Sequence, residues 1–261
     1  MLSLYRANIS SMASTLLIKS DPIVYNILKI LPSGVSGNTF HVIDQYKREY
    51  TIKRYKKQIK YSTIFNEINK LKYVNALDNI RLAYPQNPEL LYDNEGLYHL
   101  QYKYIDGKCA WTLQYKILKN RDILQLKQYI WNICNLVNKL QQYSNITHLD
   151  IKPDNLINTD ADELKLIDFG SSRFLDHHDP KYNIEISKPV GSPRYAAPEI
   201  FKGYYNCTSD VYCIGHIFRF FHENKMNIDP DGIKLLSNML EPLSDKRPTV
   251  ADVLSHRWFS V

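Results

Sequence analysis

The chain has 261 residues, of which 44% are hydrophobic and 23% charged, and its 33 basic and 27 acidic side chains leave a net charge of +6. This is the composition of a globular protein with room for one large domain or two small lobes, and not of a low-complexity chain. No apolar run reaches the roughly 20 residues that span a bilayer, because the longest candidate, 130–140, is broken by Asn132, Asn135, Asn138 and Lys139, so no membrane partner is expected.

Residues 1–22 are predicted to be an N-terminal extension. Met1–Ser20 lacks acidic residues and carries Arg6, Lys19 and several serines, which is faintly like a transit peptide; a leader or an extra turn packed on the next lobe is the preferred reading. From Ile23 to about Leu100 the pattern is mostly strand. Phe40–Asp44 and Glu49–Lys53 flank a polar turn at 45–48. Lys53-Arg54-Tyr55-Lys56-Lys57 is the one dense basic run, and no groove-reading motif or zinc-finger spacing accompanies it, so nucleic acid is not the expected partner. One helix interrupts the strands: Ile64, Ile68 and Leu71 give 62–73 an apolar face bordered by Glu67. Leu97–Tyr102 reads as a further strand, and Asp106-Gly107 as a turn.

Helical periodicity then takes over. Ile123, Leu126, Ile130, Ile133, Leu136, Val137 and Leu140 predict a helix over 122–143, and further helices are expected at 207–223, 231–241 and 249–255. Between the first two lies a hairpin, 155–157 and 164–167, joined by the polar turn 158–163. Cys109, Cys134, Cys207 and Cys213 form no C-x-x-C pair and read as buried or idle thiols of a reducing compartment. The fold class is therefore α+β: a strand-rich N-terminal lobe (23–102), a connecting segment (103–107) and a helical C-terminal lobe (108–261), with a ligand cleft expected between the lobes.

Three segments, in this order, carry chemistry: His148-Leu149-Asp150-Ile151-Lys152-Pro153-Asp154-Asn155, Asp168-Phe169-Gly170 and Ala197-Pro198-Glu199. Phosphoryl transfer needs an acceptor hydroxyl oriented by a carboxylate, oxygen ligands for a metal, and cations on the moving charge. Asp150 offers the carboxylate, Lys152 the cation and Asn155 a neutral oxygen, while Asp168 follows a predicted strand with a second hard oxygen suited to Mg2+. Each segment alone is weak. Ordered and spaced on a strand–turn–strand unit, they are specific.

Over 23–259 these residues resemble the eukaryotic-type protein kinase superfamily. The resemblance implies a two-lobed kinase fold with the ATP cleft between the lobes. It implies ATP and Mg2+ as cofactors, with Mn2+ as a substitute, Asp150, Lys152 and Asn155 as catalytic residues, and Asn155 and Asp168 as metal ligands. Pro32-Ser33-Gly34-Val35-Ser36-Gly37-Asn38-Thr39 resembles the family's glycine loop less closely. Gly34 and Gly37 keep two positions where backbone approaches phosphates, Pro32 replaces the first glycine, and Thr39 stands where valine would cap the adenine. Thr51 and Lys53 share one face of a strand; the resemblance gives Thr51 the roof of the adenine pocket, Lys53 the α- and β-phosphates, and Glu67 the pairing with Lys53. Tyr102 would gate the pocket, and Lys103-Tyr104-Ile105 would be the hinge, with backbone groups at Lys103 and Ile105 bonding adenine.

Other matching positions are structural. His148, Phe169 and Leu71 resemble an apolar column linking the lobes, Glu199 and Arg247 a buried ion pair, Asp210 an acceptor for catalytic-loop backbone, and Ser255–Phe259 the last helix. Lys152 and Gly191-Ser192-Pro193-Arg194-Tyr195 resemble the serine/threonine branch, in which Ser192 bonds the catalytic aspartate and lysine; the expected partners are protein substrates with serine or threonine acceptors. Leu149 departs from the family, where an arginine often pairs with a phosphate on the activation segment. Activity without activation-loop phosphorylation follows as an expectation. Asp176-His177-His178-Asp179 reads as a solvated run and not as a metal site. Asp210 and Arg247 are only 37 positions apart, closer than in typical members of the family the chain resembles, which implies that a C-lobe helix has been lost or shortened.

The rival readings are a pseudokinase scaffold that binds nucleotide weakly, resting on the irregular glycine loop and the short Lys53–Glu67 spacing, and a small-molecule kinase, against which the Ser192 segment and Ala197-Pro198-Glu199 both weigh. A monomer is the default. An intracellular location, cytoplasmic or nuclear, is expected. The Tyr-, Asn-, Ile- and Lys-heavy usage suits an AT-rich genome such as that of a parasite or a large DNA virus, whose kinase would act in the host cell.

Overall fold

The structure is a computed structural model that describes residues 15–17, 24–32, 34, 36–80, 83–175, 179 and 181–260. Most of the expected extension, Ser33 and Val35 of the glycine loop, and Asp176-His177-His178 lie outside the described residues. The chain divides into two compact units: the described residues up to Ile64 with Asn87–Tyr104, and Phe65–Gln86 with Ile105 onward. The strand-rich and helical regions expected from the sequence are both present.

The first unit is one antiparallel sheet built from β1 (Thr15–Leu17), β2 (Val24–Leu31), β3 (Gly37–Ile43), β4 (Glu49–Tyr55), β5 (Glu89–Tyr92) and β6 (Tyr98–Lys103), in the order β1-β2-β3-β4-β6-β5. β1 falls inside the expected extension and pairs Thr15–Leu17 with Val24–Asn26. Alternation sorts the side chains of this sheet by face. Tyr25, Phe40, Val42, Ile52 and Leu91 pack into one apolar cluster. The register opposes Thr39 to Lys53, His41 to Thr51 and Thr51 to Tyr102, so these residues share the other face. Gly37 opposes Tyr55, and a Cβ there would stand 2.2 Å from the Arg54 carbonyl oxygen, so the closeness that requires glycine is to the neighbouring strand. Around Gly34 the space is open.

A buried polar knot closes the sheet edge. His99 Nε2 lies 3.0 Å from Asp93 Oδ2, Asp93 Oδ1 accepts the Glu95 and Leu97 N–H groups at 2.9 Å, and Arg54 Nη2 lies 3.1 Å from Asp93. Burial pushes His99 below its ordinary range against the pull of Asp93. Burial opposes the Asp93 carboxylate too, but the Leu97 N–H, His99 and Arg54 outweigh it and hold the acid low. A histidine depressed by folding contributes stability above its unfolded value of about 6.5, and that contribution is lost as pH falls toward the folded value. His99 is therefore expected to contribute up to about 1.4 kcal/mol per pH unit to the stability lost between pH 7 and 5, on top of other buried histidines. In urea unfolding His99→Gln should make that slope shallower; equal slopes in both proteins would refute the assignment.

The second unit holds α1 (Tyr61–Asn75) from Phe65 onward, β7 (Lys108–Cys109), α2 (Ala110–Asn120), α3 (Ile123–Ser144), β8 (Ile146–Thr147), β9 (Leu156–Asn158) and β10 (Leu164–Leu166). It continues through β11 (Arg173–Phe174), β12 (Ile184–Glu185), α4 (Pro198–Phe201), β13 (Tyr204–Tyr205), α5 (Ser209–Glu223), α6 (Pro230–Met239) and α7 (Val250–Leu254). Asp122 caps α3 by accepting the Gln125 N–H at 2.9 Å, and Leu126, Ile130, Ile133, Val137 and Leu140 are fully buried along it. α5 buries Val211, Ile214, Phe218 and Phe221, and Trp258 stacks on Phe218 with centroids 4.7 Å apart. Asp229 caps α6 and also accepts Trp258 Nε1–H at 3.1 Å, which ties the chain end to this helix. α6 is the one α-helix between Glu223 and Arg247. All four cysteines are free thiols. Among the described residues no helix is long and apolar enough to cross a membrane.

Candidate active site

The loop 148–155 follows β8 and is held by Asp210, in the first turn of α5. Its carboxylate accepts Thr147 Oγ1–H at 2.8 Å, His148 N–H at 2.9 Å and Leu149 N–H at 2.7 Å. Gln141 Nε2 donates to it as well, at 3.2 Å. These bonds hold Leu149 at φ +63°, a conformation that non-glycine residues rarely adopt. Gly191 sits against the same peptide at φ +80°, where a Cβ would come within 2.2 Å of the Leu149 carbonyl oxygen. Nothing in the local sequence announces that contact.

Both Asp150 oxygens are engaged. Oδ1 accepts Ser192 N–H at 2.9 Å, and Oδ2 accepts Lys152 Nζ at 2.9 Å and Asn155 Nδ2 at 3.0 Å. Lys152 Nζ also donates to Ser192 Oγ at 2.6 Å. Ser192 thus meets both expected partners, but it reaches the aspartate through its backbone N–H and keeps its hydroxyl for the lysine. Asn155 Nδ2 donates a second bond to the Asp150 carbonyl at 2.8 Å. The amide nitrogen being spent on Asp150, Oδ1 is the asparagine's remaining polar atom for a ligand.

His148 is fully buried, with its ring edge-to-face on Phe169 at 5.1 Å. Burial pushes it below its ordinary range, against the pull of Asp210, Asp150 and Asp168. The geometry agrees: Nδ1 accepts the Asp150 N–H at 3.3 Å, and Nε2 faces the Ile167 carbonyl at 3.1 Å, which requires the neutral Nε2–H tautomer. Tyr84, not singled out by sequence pattern, also packs edge-to-face with Phe169, at 5.7 Å, and donates to the Leu136 carbonyl at 2.8 Å.

Asp168 lies at φ +64° just after β10, and Oδ1 accepts the Gly170 N–H at 3.4 Å. The Ile167 N–H donates to the Asn155 carbonyl at 3.0 Å, which joins the two hairpin strands beside Asn155 and Asp168. Glu67, on α1 and buried, reaches the same place: a Cβ on Gly170 would stand 3.2 Å from Glu67 Oε2 and 3.3 Å from Asp168 Oδ1. Within the helical unit, then, Asp150, Lys152, Asn155 and Ser192 are in direct contact, and Glu67, Asp168 and Gly170 converge. The donor set fits Mg2+: two hard oxygens from Asn155 and Asp168 leave the rest of an octahedral shell to phosphate and water. No cluster of three or more metal-binding side chains occurs among the described residues.

In the strand unit, Thr39, Thr51 and Lys53 lie on one sheet face, where the Lys53 ammonium stands 5.2 Å from the Tyr55 ring centroid. Tyr102 is buried on that face, and Lys103 ends β6. Tyr104 gives its N–H to the Glu49 carbonyl at 3.2 Å, and at Ile105 the chain returns to the second unit.

The segment from Asp168 to Glu199 is anchored at several points. β11 pairs with β8 and β12 with β13, and Tyr205 OH donates to the Phe174 carbonyl at 2.8 Å. Leu149, 1% exposed, is buried in an apolar cluster with Ala196, Ala197, Ile200 and Tyr205, against which Leu175 and Val190 also pack. At the segment's end Arg247 and Glu199 form the expected ion pair, at 2.8 and 3.0 Å. Both are buried, and Ser209 Oγ–H, the Thr208 carbonyl and the Glu241 carbonyl satisfy their other groups.

Comparison with known proteins matches residues 25–226 to the protein kinase domain. Curated relatives include calcium-dependent protein kinase 6 of Plasmodium berghei, 29% identical over 90% of this chain and 17% of its own length. The human hormonally up-regulated neu tumor-associated kinase is 26% identical over 69% of this chain and 29% of its own length. The rice CBL-interacting protein kinase 25 is 28% identical over 44% of this chain and 27% of its own. The chain spans less than a third of the length of these three relatives. With the matched model covering most of the chain, and the catalytic-loop, hairpin and ion-pair geometry in place, the protein belongs to the protein kinase domain family.

Proposed function

We propose that this chain is an active serine/threonine protein kinase that transfers the γ-phosphoryl group of ATP to hydroxyls of protein substrates. The observation that carries the reading is the network in which Asp150 is oriented by Lys152, Asn155 and the Ser192 N–H. Bound ATP with Mg2+ would supply the phosphoryl group, with Asn155 and Asp168 as metal ligands and Lys53 as a partner for the phosphates. Asp150 would accept the proton of the acceptor hydroxyl, since its carboxylate is fixed and acceptor-only when ionised. Lys152, held on Asp150 and Ser192, would place positive charge where negative charge develops. The test is transfer of labelled phosphate to casein and to a basic protein, followed by phosphoamino-acid analysis; label on tyrosine alone would defeat the serine/threonine assignment.

The same reading includes independence from activation-loop phosphorylation. Leu149 is committed to an apolar cluster, and the segment is anchored by strand pairing and the Tyr205 hydroxyl. Phosphatase-treated protein from bacteria is expected to keep its full rate. A dead protein revived by phosphorylation at Ser187 would overturn this.

A further inference from the structure

Past Ser192 the chain turns onto α5. Tyr195 N–H donates to the Ser192 carbonyl at 2.8 Å, and the Tyr195 ring meets His216 edge-on at 6.1 Å. One helical turn further along α5, Arg219 Nη2 donates to His216 Nδ1 at 2.9 Å. Exposed Arg194 approaches from the other element, its guanidinium 5.9 Å from the Tyr195 ring centroid. Burial, then Arg219, then Arg194 push His216 down to about 4, so the imidazole is neutral; with Nδ1 accepting from Arg219, Nε2 carries the proton. Two guanidinium groups and an imidazole N–H, from two elements, thus form one cluster of donors. Phe220, on the same ridge of α5, packs on Trp111 and Tyr115 of α2 at 5.8 and 6.0 Å, and Tyr115 is 59% exposed. α6 follows α5 after residues 224–229 only.

We propose that this strip is the docking site for the acceptor polypeptide, with Arg194 and Arg219 binding an anionic side chain and the Phe220 cluster an apolar one. It rests on the kinase reading above and deepens it to a substrate class: acceptors with an acidic residue and an aromatic or large aliphatic residue near the phosphorylated hydroxyl. Continuity with the catalytic loop locates the occupant, because the Ser192 N–H bonded to Asp150 is three residues from Tyr195. Charge complementarity sets its sign. Asp154 beside Tyr195 and Glu223, 3.3 Å from Arg219 Nε, border the strip with negative charge, which favours a short acidic motif over a nucleic-acid backbone.

The test is fluorescence anisotropy with the full chain and serine peptides carrying either glutamates and phenylalanine, lysines and phenylalanine, glutamates and alanine, or phosphoserine in place of a glutamate. The acidic aromatic peptide is expected to bind about tenfold more tightly than its lysine counterpart. Arg194→Glu/Arg219→Glu should invert that preference. Glu223→Gln, a change at an exposed position, should tighten acidic-peptide binding severalfold by removing a competing carboxylate. Tighter phosphoserine binding would support the site and identify phosphate as the anion. Equal affinity for acidic and basic peptides, a preference that survives the double reversal, or displacement by a single-stranded oligonucleotide at higher affinity would overturn it. Binding is read without phosphate transfer, so absent incorporation with intact peptide selectivity would count against the kinase reading alone.

Discussion

Replacing Arg247 with methionine is expected to lower the unfolding free energy by about 3–5 kcal/mol, because it leaves Glu199 charged, buried and without its two guanidinium bonds. The loss should exceed that of any surface pair here, since exposed ion pairs contribute about 0–1 kcal/mol. Arg247 also donates to the Thr208 and Glu241 carbonyls, so three elements loosen together. The double replacement Glu199→Leu/Arg247→Met removes both charges and should recover part of the loss, the orphaned carbonyls and the Ser209 hydroxyl keeping recovery incomplete. Urea denaturation of the four proteins of this cycle gives the coupling directly. A single-mutant cost under about 1 kcal/mol would mean that the pair is hydrated in solution.

Asp150→Asn is expected to reduce kcat by about 10²–10⁴-fold, the range for loss of a positioned general base. The amide is nearly isosteric and its oxygen can still accept one of the three bonds that now converge on the carboxylate, so the fold should survive. What disappears is the negative charge that orients the acceptor proton and pairs with Lys152. ATP affinity should change little, because the residue is assigned to the acceptor and not to the nucleotide. Single-turnover rates with a saturating peptide, alongside nucleotide titration, separate the two effects. A variant that retained a tenth of the rate would remove Asp150 from the chemistry.

The site was legible where its residues are close in sequence and chemically demanding. Asp150, Lys152 and Asn155 lie within one loop, so their spacing already limited how they could meet. The Ile123–Leu140 periodicity likewise located α3 to within a residue or so at each end. α2 went unread because its buried face is one small, one polar and one aliphatic residue, Ala110, Gln114 and Ile117, while Trp111 and Tyr115 lie outside that face. β1 was hidden for a different reason: three residues are too few for alternation to show, and pairing with β2 alone defines it. The Ser192 contact could be anticipated but not its atoms, because the backbone direction at 192 depends on Gly191 lying against Leu149 from a distant stretch of chain. Contacts between remote segments at left-handed backbone positions leave no local pattern to read.

The apolar seat of Leu149 also decides which physical variables the activation segment answers to. A phosphate paired with arginine is weakened by salt and removed by a phosphatase. Burial among Ala196, Ala197, Ile200 and Tyr205 is not screened by salt as an ion pair is, and its driving force fades on cooling. If the proposed independence from phosphorylation holds, the order of this segment should follow temperature more than salt, because the contact at Leu149 is apolar.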